Sequence, residues 1–149
     1  MSRLILDGVE IDVPDGWEAE LGWVDGAAPG ERRVVAHLGN FALPPTRGDY
    51  GSGAVETMAG GAVFVALMEF ARVSSPPRLF SGRGLPGRLR GSDFSVDQLQ
   101  RRLPGQAGLQ RFFTVGDRRF VLYVVIGSHR LRHVLAPEVT RVLGGVTIS

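Results

Sequence analysis

The stretch LQRFFTVGDRRFVLYVVIG, residues 109–127, decides the fold class of this chain. Two apolar arms flank Gly116-Asp117, and a short Gly-Asp connection between apolar runs predicts a long antiparallel hairpin. The second arm, 120–126, is apolar at almost every position, whereas a strand with one wet face alternates. We therefore expect this arm to be a central strand of a sheet that is covered on both faces.

Further strands are expected upstream of this hairpin. Residues 3–13 (RLILDGVEIDV) predict a hairpin whose Asp7-Gly8 turn has the positive φ angles of type I′. The stretch AVFVALMEF, 62–70, is apolar at consecutive positions from Val63 to Met68 and predicts another central strand, with a buried helix as the alternative that the pattern leaves open. The remaining expected strands are 17–23, 32–38 and 54–58, of which 54–58 would pair with 62–70.

Two short helices are expected in the second half of the chain. Ser95-Val96-Asp97-Gln98 fits a capping box and predicts a helix that ends at Pro104-Gly105. Residues 136–145 predict another helix with Pro137 in its first turn, and 146–149 a last strand or tail.

These elements define a fold class. Residues 39–53 and 72–94 are rich in glycine and proline and are expected to be loops, and no linker divides the chain. We therefore expect a single globular domain, 1–149, of the α+β class, with a mainly antiparallel sheet flanked by a few short helices. The order of elements lacks the strand–helix alternation of a parallel nucleotide-binding sheet.

The composition excludes several kinds of chemistry. The chain has 149 residues and no cysteine, which excludes disulfides, thiolate nucleophiles and cysteine-bound zinc. All 17 basic residues are arginine, which excludes lysine Schiff bases and is typical of a GC-rich genome such as an actinobacterial one. No run approaches the roughly 20 apolar residues of a membrane helix, and residues 1–16 lack the pattern of a secretory signal. We therefore expect a cytoplasmic protein.

Charge is unevenly distributed along the chain. Residues 1–70 carry 4 arginines and 11 acidic residues, and residues 71–149 carry 13 arginines and 4 acidic residues. One interpretation is that the two halves interleave their charges in one fold. The other is a basic face that binds an acidic partner.

Residues 82–87 match the sequence pattern of a nucleotide-binding motif but lack the structural context that the motif needs. Gly82-Arg83-Gly84-Leu85-Pro86-Gly87 satisfies G-x-G-x-x-G. In a dinucleotide-binding protein this motif directly follows a strand and begins a helix, because the helix N-terminus binds the pyrophosphate. Two prolines precede this copy, a third removes a backbone donor inside it, and no helical pattern follows. We therefore expect a glycine-rich loop and no cofactor.

The same loop is the candidate binding segment. Arginine side chains beside aromatic rings can bind phosphates or stack on bases, and long loops often carry interaction surfaces. A solvated loop without function is the alternative. The candidate contact residues are Arg78, Arg83, Arg88, Arg90, Phe80 and Phe94.

No catalytic or metal-binding constellation is evident. His129 and His133 stand four residues apart, but a third ligand is missing nearby and the segment follows a strand end, so a surface turn is favoured over a metal site. His37 lies within an apolar strand, as core or edge histidines do. We therefore predict no catalytic residues and no metal, although the members of a dispersed active site need not be neighbours in sequence.

Three features together resemble the PsbP/Mog1-like superfamily. They are VEIDVPDGWEAEL with Pro14, Gly16 and Trp17, the hairpin RFFTVGDRRFVLYVVIG, and the closing APEVTRVLGGVTIS. The resemblance covers the two ends of the chain and not its middle. It implies an antiparallel sheet sandwiched by helices, and roles in binding and assembly. It supplies no catalytic residue.

Four functions are therefore considered. The first is a non-catalytic protein-binding or assembly module that contacts its partner through the loops. The second is a small-molecule or anion-binding protein that uses arginines, with a site lined by Trp17, Trp23, Phe41 and Tyr50. A nucleic-acid binder and an enzyme with a dispersed site are less favoured. The exposed edge of an antiparallel sheet would also allow a homodimer.

Overall fold

The computed structural model describes residues 2–25, 32–71 and 78–149. Within these ranges the strands are β1 (Ser2–Leu6), β2 (Val9–Val13), β3 (Glu18–Asp25), β4 (Arg32–Gly39), β5 (Val63–Phe70), β6 (Gly82–Arg83), β7 (Ala107–Val115), β8 (Arg118–Ile126) and β9 (Val146–Ile148). The α-helix described is α1 (Arg132–Leu143), and short 3-10 turns lie at Val55–Thr57, Arg78–Phe80, Gly91–Asp93, Val96–Gln98 and His129–Leu131.

The larger sheet has the strand order β3-β4-β5-β8-β7-β6. Its pairs are antiparallel except for the short β6, which runs parallel to β7. The two continuous apolar runs become β5 and β8, which pair at the centre with Val65 opposite Val124. The expected central strands are therefore confirmed, and the protein is of the α+β class.

A smaller sheet of order β1-β2-β9 packs against the large one. Its hairpin turns at Asp7 and Gly8, with φ angles of 46° and 77°, as a type I′ turn requires. The end of the chain forms β9, which pairs with β2 and places Ile148 opposite Val9.

The large sheet is covered on both faces because successive side chains of a strand point to opposite sides. On the first face, odd-numbered β5 residues such as Val65 and even-numbered β8 residues such as Leu122 pack against α1 and the small sheet. On the second face, Phe64 of β5 and Tyr123 of β8 pack beneath the loop 41–58. Full burial of side chains this large contributes roughly 1.5–3 kcal/mol each.

The strand predicted at 54–58 is wrong. Val55–Thr57 is a 3-10 turn, because local hydrogen bonds use the backbone groups that a strand would offer to a neighbour. Gly51 accepts from the N–H groups of Ala54 and Val55, and Ala54 accepts from Thr57. Gly51 has a φ of 87°, and a Cβ there would lie 2.4 Å from the Phe64 ring, so this loop follows the sheet closely.

The helix predicted after Ser95 is also wrong, because the segment is bonded to the sheet. Ser95 exchanges two backbone hydrogen bonds of 2.9 Å with Gly108 of β7. The Gln98 side chain donates to the Ser95 hydroxyl, where a capping box would have bonded the backbone. Only one 3-10 turn, Val96–Gln98, forms.

Helix α1 begins earlier than predicted. It spans Arg132–Leu143, and Pro137 lies inside it and not in its first turn. The preceding 3-10 turn, His129–Leu131, leads directly into the helix. Burial of Leu135 and Val139 against the first face of the sheet offsets the hydrogen bond that Pro137 cannot donate. The second face is covered by loops and 3-10 turns, where the resemblance had implied a helical layer.

Oppositely charged halves of the chain meet in the fold. Glu69 pairs with Arg118, and Glu56 pairs with Arg101. Within the described ranges, no helix is long and apolar enough to cross a membrane.

Candidate binding surfaces

The arginine-rich segment is packed against the body of the protein. Gly82–Arg83 forms β6, and Gly84 donates its N–H to the Thr114 carbonyl at 2.8 Å. Residues 85–91, which we call the strap, then run along α1. The N–H of Leu89 donates to the Thr140 hydroxyl at 3.0 Å, and that hydroxyl also contacts the Leu89 carbonyl at 3.3 Å.

This geometry does not match a dinucleotide turn. The strand before Gly84 has two residues, and the residues after Gly87 lead into the 3-10 turn Gly91–Asp93. A nucleotide fingerprint needs a helix N-terminus at this point. The chain instead forms a strap that buries Leu89.

The six candidate contact residues are divided between surface and core. Arg78, Arg83, Arg88 and Arg90 are exposed. Phe80 is buried against Phe70 and Phe112, with ring centroids 5.2 and 5.4 Å away. Phe94 is buried in the first-face core. The two phenylalanines therefore anchor the ends of the segment, and their rings lie in the core and not beside the exposed arginines.

The strap brings two basic segments together. Gly91 lies so close to α1 that a Cβ there would be 2.3 Å from Nδ1 and 2.9 Å from Cα of His133. Arg130 and Leu131 lie in the 3-10 turn that leads into α1, and His133 and Val134 lie in the first turn of α1. The exposed residues of the strap and the helix start, which we call the strap face, are Arg88, Arg90, Arg130, Leu131, His133 and Val134.

The two histidines of this region serve different contacts. His133 covers Gly91. The Nδ1 of His129 lies 3.3 Å from the Arg132 guanidinium, which also donates to the His129 carbonyl at 3.0 Å. In the part of the chain that the structure describes, no group of three or more His, Asp or Glu side chains could hold a metal ion.

A second surface, the β3–β4 groove, lies on the second face of the large sheet. It consists of two adjoining depressions of about 150 and 90 Å³, which share Val24, Val35 and Asp49. The residues that line the first depression are Glu20, Gly22, Trp23, Val24, Val35, His37, Pro45, Arg47 and Asp49. Those of the second are Val24, Arg33, Val35, Asp49, Tyr50, Met68, Glu69 and Phe70.

One end of the groove is held by a hydrogen-bonded network. His37 Nε2 lies 2.9 Å from the Asp49 carbonyl oxygen, which can only accept, so Nε2 carries the proton. His37 Nδ1 accepts from Arg47 Nε at 3.0 Å, and Arg47 also bonds to Glu20 at 3.2 Å and to the Pro44 carbonyl. Burial lowers the pKa of His37, so the ring is neutral near pH 7.

The other end carries a cation of a different kind. Arg33 lines the second depression, and its Nε is buried with no hydrogen-bond partner. None of the hydrogen bonds and ion pairs between described residues involves its guanidinium. This contrasts with Arg47, whose side chain is 5% exposed and whose three nitrogens are all bonded. Arg33 therefore keeps its charge available to a ligand.

The aromatic residues proposed for a small-ligand site are only partly assembled. Tyr50 lines the groove. Trp23 borders it along β3, but its register opposite Val34 and its ring contact with Arg32 direct the indole to the first face. Trp17 is buried in the first-face core, and Phe41 packs against the second-face core. Sequence reasoning did not select Arg33 or Arg47. Along β4, the side chains of Arg33, Val35 and His37 point to the same face. Their alternation with apolar neighbours is the feature of the sequence that could have indicated polar residues on the second face.

Comparisons of the chain with protein-family models, with curated proteins and with solved structures find no match. The resemblance to the PsbP/Mog1-like superfamily therefore stays a prediction.

Proposed function

We propose that this chain is a non-catalytic binding module that docks an acidic segment of another protein on the strap face. The observation that carries the proposal is the close packing of Gly91 on His133. It places Arg90 of the strap beside the start of α1, so basic side chains from two distant parts of the sequence share one exposed surface.

The composition of the surface supports a protein partner. Its arginines can form paired hydrogen bonds with carboxylates, and opposite charge accelerates association. Val134 is 69% exposed and Leu131 37% exposed. Exposed apolar groups within a charged rim are typical of protein interfaces, where they supply the buried centre. A duplex nucleic acid would use the arginines but not the apolar pair.

The backbone of the strap face is also held in place in the absence of a partner. The buried Leu89 and Gly91 alternate along the chain with the exposed Arg88 and Arg90, so the backbone is held while the charged side chains face solvent. A partner would therefore meet a backbone that is already ordered, which reduces the entropic cost of binding.

The test is affinity capture from a lysate of the source organism, quantified by mass spectrometry. The bait variants are the wild type, R88Q/R90Q/R130Q, and a control, R3Q/R101Q/R102Q. The control removes three other arginines whose side chains are 62%, 65% and 67% exposed. We expect one protein with an acidic segment to bind the wild type and the control, and to be lost from the strap-face variant.

Reconstitution with the purified partner completes the test. Its Kd should rise at least tenfold in R88Q/R90Q/R130Q and also rise with salt, because exposed charges are screened. Capture that is equal for all three baits would overturn the proposal. Salt-dependent binding to generic duplex DNA, with no protein captured, would replace it with nucleic-acid binding.

A further inference from the structure

We propose that the β3–β4 groove binds a small zwitterion of the amino-acid class, with its carboxylate at Arg33 and its ammonium group near Asp49. This site is separate from the strap face and does not depend on the function proposed for that face.

The positive charge of Arg33 at one end of the groove favours binding of a carboxylate. Arg33 lines the second depression, and no hydrogen bond or ion pair between described residues involves its guanidinium. Guanidinium groups match carboxylates in shape and can bind both oxygens.

The first depression carries a negative charge that extends to its junction with the second. Glu20 and Asp49 line the first depression together with Arg47. Arg47 neutralises Glu20 across 3.2 Å, and burial lowers the pKa of His37, whose Nδ1 accepts from Arg47, so the ring is neutral. The Asp49 carboxylate then remains as a negative charge where the two depressions join, and it favours an ammonium group beside a carboxylate held at Arg33.

Together the two ends select against singly charged ligands. Asp49 borders both depressions, so a bare carboxylate at Arg33 is repelled by it. A bare amine is likewise repelled by Arg33. Glu69 also borders the groove, but its carboxylate is bound by Arg118. A ligand that carries both charges satisfies both ends at once.

The walls between the charges are apolar. Val24 and Val35 lie where the depressions join, and Met68 and Phe70 close the Arg33 end. Such walls suit an aliphatic side chain, since apolar lining with a few placed charges is usual for small-ligand sites. The attraction between the ligand's charges and those of the groove also becomes stronger as bound ligand excludes water.

The first experiment screens the twenty common L-amino acids, each to 10 mM, by backbone amide NMR of the wild-type protein. We expect at least one to shift the amide signals of Val24, Val35 and Asp49 in a saturable manner. A matched set then separates the two charges: L-norleucine, hexanoate (no amine) and pentylamine (no carboxylate). L-norleucine should bind at least tenfold more tightly than either partial analogue.

Three variants place the ligand. Arg33→Gln and Asp49→Asn should each weaken binding at least tenfold, whereas Arg3→Gln, at an exposed position on β1, should leave it unchanged. Because Asp49 is exposed, we expect Asp49→Asn to fold, and it tests the site even if Arg33→Gln misfolds. The proposal is overturned if no amino acid binds, if hexanoate binds as tightly as norleucine, or if Asp49→Asn binds as the wild type does. None of these results bears on the strap face, whose test is separate.

Discussion

Arg118 and Glu69 form a two-point ion pair between the neighbouring central strands, with Nε to Oε2 at 2.9 Å and Nη2 to Oε1 at 3.1 Å. Both side chains are only 8% exposed. The Arg118 guanidinium also donates to the carbonyls of Asp7 and Ser149, and Glu69 accepts from the Val34 N–H. One pair therefore joins the large sheet to the β1–β2 turn and to the end of the chain.

Removing one member of this pair should be costly. Arg118→Met leaves a buried carboxylate without its partner, and we expect a loss of about 3–5 kcal/mol in the free energy of unfolding, measured by urea denaturation. The double variant Glu69→Leu/Arg118→Met should lose less than Arg118→Met alone, because no unpaired charge remains. The control is Arg102→Met at the exposed Arg102–Asp97 pair, which should cost less than about 1 kcal/mol. Equal losses at the two sites would contradict this account.

Stability should depend on pH through His37. Burial lowers its pKa in the folded state below the unfolded value of about 6.5, so the unfolded chain binds the proton more readily. The stabilisation is therefore complete above about pH 6.5 and is lost as the pH falls from that value toward the folded pKa. The slope cannot exceed about 1.4 kcal/mol per pH unit for one proton.

The measurement is urea denaturation of the wild type at intervals from pH 7.5 to 5.5. His37→Gln should flatten the profile over this range. A wild-type slope that persists in His37→Gln would assign the effect to another group.

The contact between strap and helix should be sensitive to one methyl group. Gly91→Ala places a Cβ 2.9 Å from the His133 Cα, which cannot move without displacing the helix or the strap. We expect a loss of about 1–3 kcal/mol in unfolding free energy. Gly87→Ala is the matched control, because the nearest atom to its Cβ is 3.9 Å away. A wild-type stability for Gly91→Ala would show that the strap lies farther from α1.

Side chains that alternate along the strap should differ sharply in their effect on folding. Leu89 is 9% exposed, so Leu89→Ala should cost about 2–5 kcal/mol. The triple variant R83A/R88A/R90A changes only exposed side chains and should stay within about 1 kcal/mol of the wild type in thermal unfolding. A loss of several kcal/mol in the triple variant would mean that these arginines support the fold and are not available to a partner.

Local pattern was sufficient for most strands because each carries its own signal. The Asp7-Gly8 turn, the hairpin at 107–126 and the two central strands follow from turn chemistry and apolar continuity within a few residues. The helix expected after Ser95 failed for the converse reason. The residues after Ser95 match a helix-capping pattern, but the Ser95 backbone forms hydrogen bonds with Gly108. A pattern of neighbouring residues cannot predict such a long-range pairing.

The binding surfaces show the same division. The sequence by itself determined which residues could act: arginines in a glycine-rich segment, no cysteine or lysine chemistry, and apolar strands for a two-sided core. Only the tertiary structure decided that Phe80 and Phe94 are buried, that Gly91 packs on His133, and that Arg33 and Asp49 border one groove. The physical reason is that turns and strands are set by short-range sterics and hydrogen bonds, whereas a surface is made by contacts between segments far apart in the chain, whose register only the packed core fixes.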